Sequence, residues 1–195
     1  MGLIVGICGA GSVVNERHIP SINSIGEIDS VIIFDLNLEN AEKASQKILK
    51  KSSIVRSLKE LFNHHPDYLI VATPPNERKD VLNLCLENKV HALVEKPIFT
   101  VPSIAKYYTD LFKDRNLHFG VVHNYKEREI FKIVKETLKK GIIGHVSFVN
   151  IQWFGMRINP SQYYKLYWRQ NIFEGGGGIF MDLIHFIYIV EHLLD

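Results

Sequence analysis

The chain has few of the features that mark secreted, membrane or nucleic-acid-binding proteins. Its 195 residues include only two cysteines, Cys8 and Cys85, so a disulfide framework is excluded and a reducing compartment is favoured. No basic segment followed by a cleavage site opens the sequence, and we therefore predict no signal peptide. With a net charge of +2 and no dense run of lysine or arginine, neither nucleic acid nor an anionic membrane is an expected partner. We expect a cytoplasmic protein.

Long hydrophobic runs and several catalytic motifs are also missing. The apolar stretch 179–194 is interrupted by Asp182, His185 and Glu191, which makes it a poor membrane span and a good buried helix. No pair of histidines has metal-ligand spacing together with a carboxylate, so we predict no metal site. The sequence contains neither the nucleophile elbow of hydrolases nor a Walker lysine.

The hydrophobic content of 46% and charged content of 23% are typical of a globular protein with a substantial core. Strand-like and helix-like segments alternate six times, and the strands are apolar throughout. This pattern predicts an α/β fold with a Rossmann-type doubly wound parallel sheet. The predicted strands are 3–8, 31–34, 54–55, 67–72, 90–94 and 118–122, and the predicted helices are 12–25, 38–50, 58–62, 76–88 (with Asn76 as its N-cap), 101–115 and 126–140.

The first strand breaks at Gly9-Ala10-Gly11 and leads into a helix that begins at Ser12. A strand that turns on glycines into a helix N-terminus forms a cradle for phosphate groups, and Gly11 has no side chain to block a pyrophosphate. The second strand ends in Asp35, where a carboxylate can bind a ribose 2′-hydroxyl. Val14 occupies the third glycine position of the dinucleotide-binding fingerprint. The residues that we predict to bind the cofactor here are Gly9, Gly11, Ser12, Val13 and Asp35.

Ligands of doubly wound sheets bind beyond the carboxyl ends of the strands. Gly9, Asp35, Thr73, Lys96 and His123 all follow strand ends, and they are therefore expected at one edge of the sheet. A lysine beside a nicotinamide can donate a proton to a substrate oxygen, which makes Lys96 a candidate acid. The alternative is a surface lysine that merely ends a strand.

Asp182 and His185 are three residues apart and share one face of a predicted helix. An imidazole beside a carboxylate suits a general base that removes a hydroxyl proton. The alternative is a buried core histidine. The glycine run 175–178 before this helix favours a function, because it allows the backbone to approach a ligand closely.

The pattern changes after residue 145. Residues 146–154 alternate between apolar and polar and predict a strand with one wet face. The aromatic-rich segment 163–169 is typical of a core or interface, although Arg169 could bind a ligand oxygen. We predict a dinucleotide-binding domain over residues 1–122 and the start of an α+β domain over 123–195.

Taken together, these motifs resemble the glucose-fructose oxidoreductase / inositol dehydrogenase (Gfo/Idh/MocA) family over essentially the whole chain. The resemblance rests on seven motifs that occur in the family's order. They are Gly9-Ala10-Gly11, Asp35, Thr73-Pro74-Pro75, Glu95-Lys96-Pro97, Gly141…Gly144, Trp168-Arg169 and Gly176-Gly177-Gly178…Asp182…His185.

The resemblance implies an oxidoreductase that uses NAD, or NADP, and acts on a hydroxyl-bearing carbon of a sugar, nucleotide sugar or cyclitol. It implies a Rossmann domain followed by an α+β domain for substrate binding and oligomerisation. By motif match the catalytic residues are Lys96, Asp182 and His185, while Thr73, Pro74 and Glu95 flank the cofactor. The substrate residues would be Lys96, His123, Tyr125, Trp168 and Arg169.

The chain departs from the family pattern at several positions. Arg78 stands where many members carry histidine, and Phe186 and Tyr188 stand where one branch usually has acids. Members are also much longer than this chain, so we expect either a fragment or truncated gene product, or a naturally short form that a partner completes. A homo-oligomer is the other expected assembly. A catalytically silent NAD(P)-binding module and a truncated fragment are the alternatives to an active oxidoreductase.

Overall fold

The structure is a computed structural model that describes residues 2–152, 171, 176 and 180–195. The chain divides into two compact units, Met1–Val121 and Val122–Asp195, called here the first and the second unit. The assignment of functions to the two predicted domains, 1–122 and 123–195, stays a prediction.

The first unit is built on six parallel strands. Their order is β3-β2-β1-β4-β5-β6, and the sheet is the doubly wound parallel sheet that the alternating pattern predicted. The strands are β1 (Leu3–Cys8), β2 (Ile28–Phe34), β3 (Lys51–Ile54), β4 (Tyr68–Val71), β5 (His91–Val94) and β6 (Phe119–Val121). The helices are a π-helical segment (Val14–His18) that continues into α1 (Ile19–Ser24), then α2 (Leu38–Lys47), α3 (Leu58–Asn63), α4 (Arg78–Asn88) and α5 (Pro102–Asp114).

The strand order reverses direction at β1, which pairs with β2 on one side and β4 on the other. In sheets of this kind, ligands bind at such a switch point, beyond the carboxyl ends of the strands. Helices cover both faces of the sheet, and the strands are accordingly buried on both faces. Ile7, Ile33, Leu69 and Val94 are all fully buried. This packed core fixes the strand ends from which the candidate site is built.

The first helix runs past Pro20, which stands in the first turn of α1, where an N–H group is dispensable. The prediction that Asn76 caps α4 is wrong. Residues Pro75–Glu77 form a 3₁₀ turn in which the Glu77 N–H donates to the Pro74 carbonyl, and α4 begins after Glu77 without a side-chain cap.

In the second unit the described helices are α6 (Glu129–Lys139) and α7 (Phe180–Leu194). The strand predicted over 146–154 is not present in its described part, 146–152, and residues 153–154 lie outside the described residues. A strand needs a neighbour to pair its N–H and C=O groups, and no other described segment of this unit is a strand. Phe148, within this segment, is 79% exposed. Within the described parts of the chain, no helix is long and apolar enough to cross a membrane.

Candidate cofactor and active site

The glycine turn after β1 has a geometry that only glycine permits at its first position. Gly9 adopts φ +86°, and a Cβ atom there would lie 2.9 Å from the carbonyl carbon of Ala72. The Gly9 N–H group donates to the Phe34 carbonyl at 2.9 Å. Gly9 therefore lets the ends of β1, β2 and β4 meet closely.

Gly11, in contrast, faces open space. No heavy atom lies within 4 Å of the position that its Cβ would take. The turn is held from the helix side by Asn15, whose amide donates to the carbonyls of Ala10 and Gly11 at 2.9 and 3.0 Å. The space above Gly11, at the start of a helix, is a suitable seat for a pyrophosphate.

Two buried polar oxygens near this edge have no hydrogen-bond partner among the described residues. They are the hydroxyl of Thr73, which follows β4, and the side-chain oxygen of Asn15. Buried polar groups are nearly always paired, so each indicates a group that is still to be bound. A dinucleotide, with its many hydroxyl and amide groups, fits this arrangement.

Asp35, at the end of β2, already binds the backbone of the glycine turn. One carboxylate oxygen accepts the Ala10 N–H at 2.6 Å, and the other accepts the Asn37 N–H at 2.7 Å. The oxygen bonded to Asn37 also accepts from the Asn40 amide at 3.5 Å, whereas the oxygen bonded to Ala10 keeps a second lone-pair direction for a ribose hydroxyl. Asp35 thus places a negative charge directly beside the glycine turn.

Arg78, at the start of α4, is 2% exposed. Its guanidinium donates to four backbone carbonyls in two loops. Nε and Nη2 bind the Thr73 carbonyl at 2.9 and 2.7 Å, and Nη1 binds the carbonyls of Glu95 at 2.5 Å, Ile98 at 3.0 Å and Pro97. Burial lowers the pKa of Arg78 to about 10, against the opposing effect of the Glu95 carboxylate.

Glu95 forms a buried pair with His18 from the end of the π-helical segment. The His18 Nε2 and Glu95 Oε1 atoms are 2.8 Å apart, and both residues are buried. The other carboxylate oxygen accepts the Lys96 N–H at 3.2 Å. Although burial alone raises the pKa of Glu95, the bonds from His18 and Lys96 outweigh it, and the net shift is downward. The half-buried Lys96 follows directly, and its peptide bond to Pro97 is cis.

In the second unit, a cluster of rings surrounds His185 on α7. The His185 ring stacks on Tyr125 with centroids 4.5 Å apart, and its Nδ1 is 2.6 Å from the Tyr188 hydroxyl. Tyr188 also accepts the Tyr125 N–H at 3.3 Å and stacks on His123 at 4.1 Å between centroids. Burial, followed by the Lys126 ammonium, lowers the pKa of His123, which Glu191 opposes.

The structure brings the sequence-predicted residues together in two groups. Gly9, Asp35 and Thr73 meet at the glycine turn, and His123, Tyr125 and His185 meet around Tyr188. Trp168, Arg169 and the side chain of Asp182 lie outside the described residues. The roles assigned to all of the predicted site residues, including Gly11, Ser12, Val13, Pro74, Glu95 and Lys96, stay predictions.

Four residues in these groups were not predicted to take part. Asn15, His18, Arg78 and Tyr188 each place polar atoms within hydrogen-bond distance of a candidate residue or its loop. Two of them could have been found from the sequence, because Arg78 and Tyr188 differ from the residues that the family resemblance led us to expect at those positions.

Comparison with known protein families identifies the family to which the chain belongs. A family model described as an oxidoreductase family with an NAD-binding Rossmann fold, Gfo/Idh/MocA, matches residues 3–123. A model of the C-terminal α/β domain of the same family matches residues 135–195. The chain belongs to the Gfo/Idh/MocA oxidoreductase family. The predicted fold and the predicted cofactor, NAD, are those of the family.

Individual Gfo/Idh/MocA relatives cover the whole chain at low identity. The uncharacterized protein YMR315W of Saccharomyces cerevisiae is 27% identical over 98% of this chain and 55% of its own length. The WlbA dehydrogenase from Bordetella pertussis, solved with NADH and UDP-GlcNAcA, gives a TM-score of 0.83 at 24% identity, over 99% of this chain and 55% of that one. The scyllo-inositol dehydrogenase from Lactobacillus casei, solved with NAD(H) and scyllo-inositol, gives a TM-score of 0.82 at 15% identity, over 99% and 56%. The chain spans a little over half the length of these relatives.

Proposed function

We propose that the protein is an NAD-dependent oxidoreductase that transfers a hydride between nicotinamide and a hydroxyl-bearing carbon of a sugar, nucleotide sugar or cyclitol. The observation that carries the proposal is the carboxyl edge of the sheet. The open cradle at Gly11, the unsatisfied hydroxyl of Thr73 and the loop that bears Lys96 all belong to this edge. When bound, the nicotinamide supplies or takes up the hydride.

The charge of Asp35 supports NAD over NADP. Its carboxylate is held beside the glycine turn by the N–H groups of Ala10 and Asn37, where a ribose 2′-hydroxyl can donate to it. A 2′-phosphate at the same place would meet a fixed negative charge. No arginine follows Asp35 directly to offset that charge.

The chemistry of a hydroxyl oxidation requires a group that takes the proton as the hydride leaves. The family resemblance assigns this proton transfer to Lys96. His185, oriented by Asp182, either assists Lys96 or is itself the base. In the reverse direction the same groups return the proton to a carbonyl oxygen. Lys96 sits two residues past β5, and the Glu95 carboxylate fixes its backbone N–H.

The substrate class rests on relatives. The Bordetella enzyme is described with a nucleotide sugar and the Lactobacillus enzyme with a cyclitol, both small polyhydroxylated molecules. A homo-oligomer or a completing partner also belongs to the proposal. Two buried free cysteines suit the cytoplasmic location that we also propose.

The test is a turnover screen with sugars, nucleotide sugars and inositols, each with NAD or NADH, for the wild type and Lys96→Ala. Turnover by the wild type that falls by several orders of magnitude in Lys96→Ala supports the proposal. Lys89→Ala, at an exposed lysine after α4, is the matched control and should keep full activity. Cofactor binding without any turnover would favour the alternative, a catalytically silent NAD-binding module, for which Lys96→Ala changes nothing.

A further inference from the structure

The buried arginine Arg78 joins two loops that are distant in the sequence. One loop follows β4 and carries Thr73, while the other follows β5 and contains Glu95, Lys96 and Pro97. Arg78 donates to one carbonyl of the first loop and to three of the second. Its side chain is therefore a direct bridge between the loop proposed to flank the cofactor and the loop proposed to carry the acid.

A guanidinium suits this position in a way that no other side chain does. It offers five N–H donors in a rigid planar fork, whereas lysine offers a point charge on a flexible stem. A buried charge is costly unless it is paired and fully hydrogen-bonded. Here all three guanidinium nitrogens donate to backbone carbonyls, and the Glu95 carboxylate, itself held by His18, supplies the opposite charge.

From these contacts we infer that Arg78 is a positioning residue for the proposed reaction: it fixes the Thr73 loop and the Lys96 loop relative to each other. The inference rests on the proposed function. Arg78 acts through the backbone, since its bonds go to the carbonyls on either side of Lys96 (those of Glu95 and Pro97) and to the carbonyl of Thr73. Loss of the fork frees both loops to move independently.

The experiment compares Arg78→Lys, which keeps the charge, and Arg78→His, which introduces the residue that many family members carry. The control is Val81→Ala on the same helix, which removes buried apolar atoms but none of the hydrogen bonds that Arg78 makes. A second control, Arg115→Lys, makes the same change at an exposed arginine. Each protein is titrated with NADH well below its melting temperature. The Lys96 amine is followed by NMR after reductive ¹³C-methylation, with its resonance assigned by its absence in Lys96→Arg.

We expect both Arg78 variants to bind NADH roughly 10- to 100-fold more weakly, because the loss of one or two hydrogen bonds to the cofactor has effects of this size. We also expect their Lys96 resonance to shift or broaden. Val81→Ala should lower the melting temperature but leave both readouts unchanged, and Arg115→Lys should change neither. If Arg78→Lys or Arg78→His melts cooperatively yet retains the wild-type NADH affinity and Lys96 resonance, the inference is wrong. If the wild type does not bind NADH, the proposed function fails, while the Lys96 resonance still tests the bridge.

Discussion

Two glycines in one turn are expected to respond in opposite ways to the same substitution. Gly9→Ala would place a Cβ atom 2.9 Å from the Ala72 carbonyl carbon at a φ of +86°. A positive φ of this kind costs a non-glycine residue about 1–2 kcal/mol, and forcing an atom into packed backbone costs about 1–3 kcal/mol more. The free energy of unfolding should therefore fall by roughly 2–5 kcal/mol, since both costs apply only to the folded state.

Gly11→Ala should leave the fold intact and weaken cofactor binding. No atom lies within 4 Å of its would-be Cβ, and its φ is not in the left-handed range. Replacing a glycine at such a position can even stabilise a protein by about 0.4–1 kcal/mol, because the unfolded chain loses freedom. The added methyl group would instead occupy the seat of the pyrophosphate, so the affinity for NADH should fall at least about tenfold, or 1.4 kcal/mol.

The assay is thermal unfolding of both variants, with and without NADH, together with a fluorescence titration. For a chain of this length about 2–4 °C is lost per kcal/mol, so Gly9→Ala should melt roughly 4–20 °C below the wild type. Gly11→Ala should melt at or slightly above the wild-type temperature. Unchanged NADH affinity in Gly11→Ala would refute the pyrophosphate seat, and an unchanged melting temperature in Gly9→Ala would refute the turn geometry.

Three further changes test other parts of the site. Tyr188→Phe keeps the ring that stacks on His123 but removes the hydroxyl at His185 Nδ1, so the ¹⁵N shifts of the His185 ring should change; identical shifts would contradict the contact. Because the pKa of Glu95 is lower in the folded state than in an ordinary glutamate, its bonds stabilise the fold above the ordinary glutamate pKa and are lost as pH falls through the lowered value. Glu95→Gln should thus cost about 1.5–3 kcal/mol at pH 7 and flatten the acid limb of stability measured by denaturant unfolding; an acid limb as steep as the wild type's would count against the pair. Asp35→Ser should move the ratio of NADPH to NADH affinity upward by about tenfold or more, because it removes a negative charge near the ribose; a constant ratio would exclude Asp35 from cofactor choice.

The sheet and its glycine turn could be predicted from the sequence because local patterns determine them. Buried parallel strands are apolar throughout, and a turn such as Gly9 requires a residue without a side chain. The predicted strand at 146–154 had the correct alternation. It failed in its described part, since a strand also depends on a partner that no pattern within the segment encodes.

The charged interior of the site could not be predicted in the same way. Arg78 precedes its carbonyl partners Glu95 and Ile98 by 17 and 20 residues, and His18 lies 77 residues before Glu95. Their burial depends on which loops the fold brings together, while single-residue statistics place arginine at the surface. Tyr188 is a similar case. Its hydroxyl contacts His185 three residues earlier on α7, but it also accepts the N–H of Tyr125, which lies 63 residues earlier in the sequence.

The most direct test of the central claim, that the first unit binds NAD at the carboxyl edge of its sheet, is a titration of the purified protein with NADH and NADPH. Fluorescence and melting temperature would be followed in the same samples. The account predicts saturable binding, tighter for NADH, and a cooperative melt that is stabilised by about 2.7 kcal/mol when the ligand reaches a hundred times its Kd. A cooperative melt that neither nucleotide shifts, without saturable fluorescence change, would contradict it.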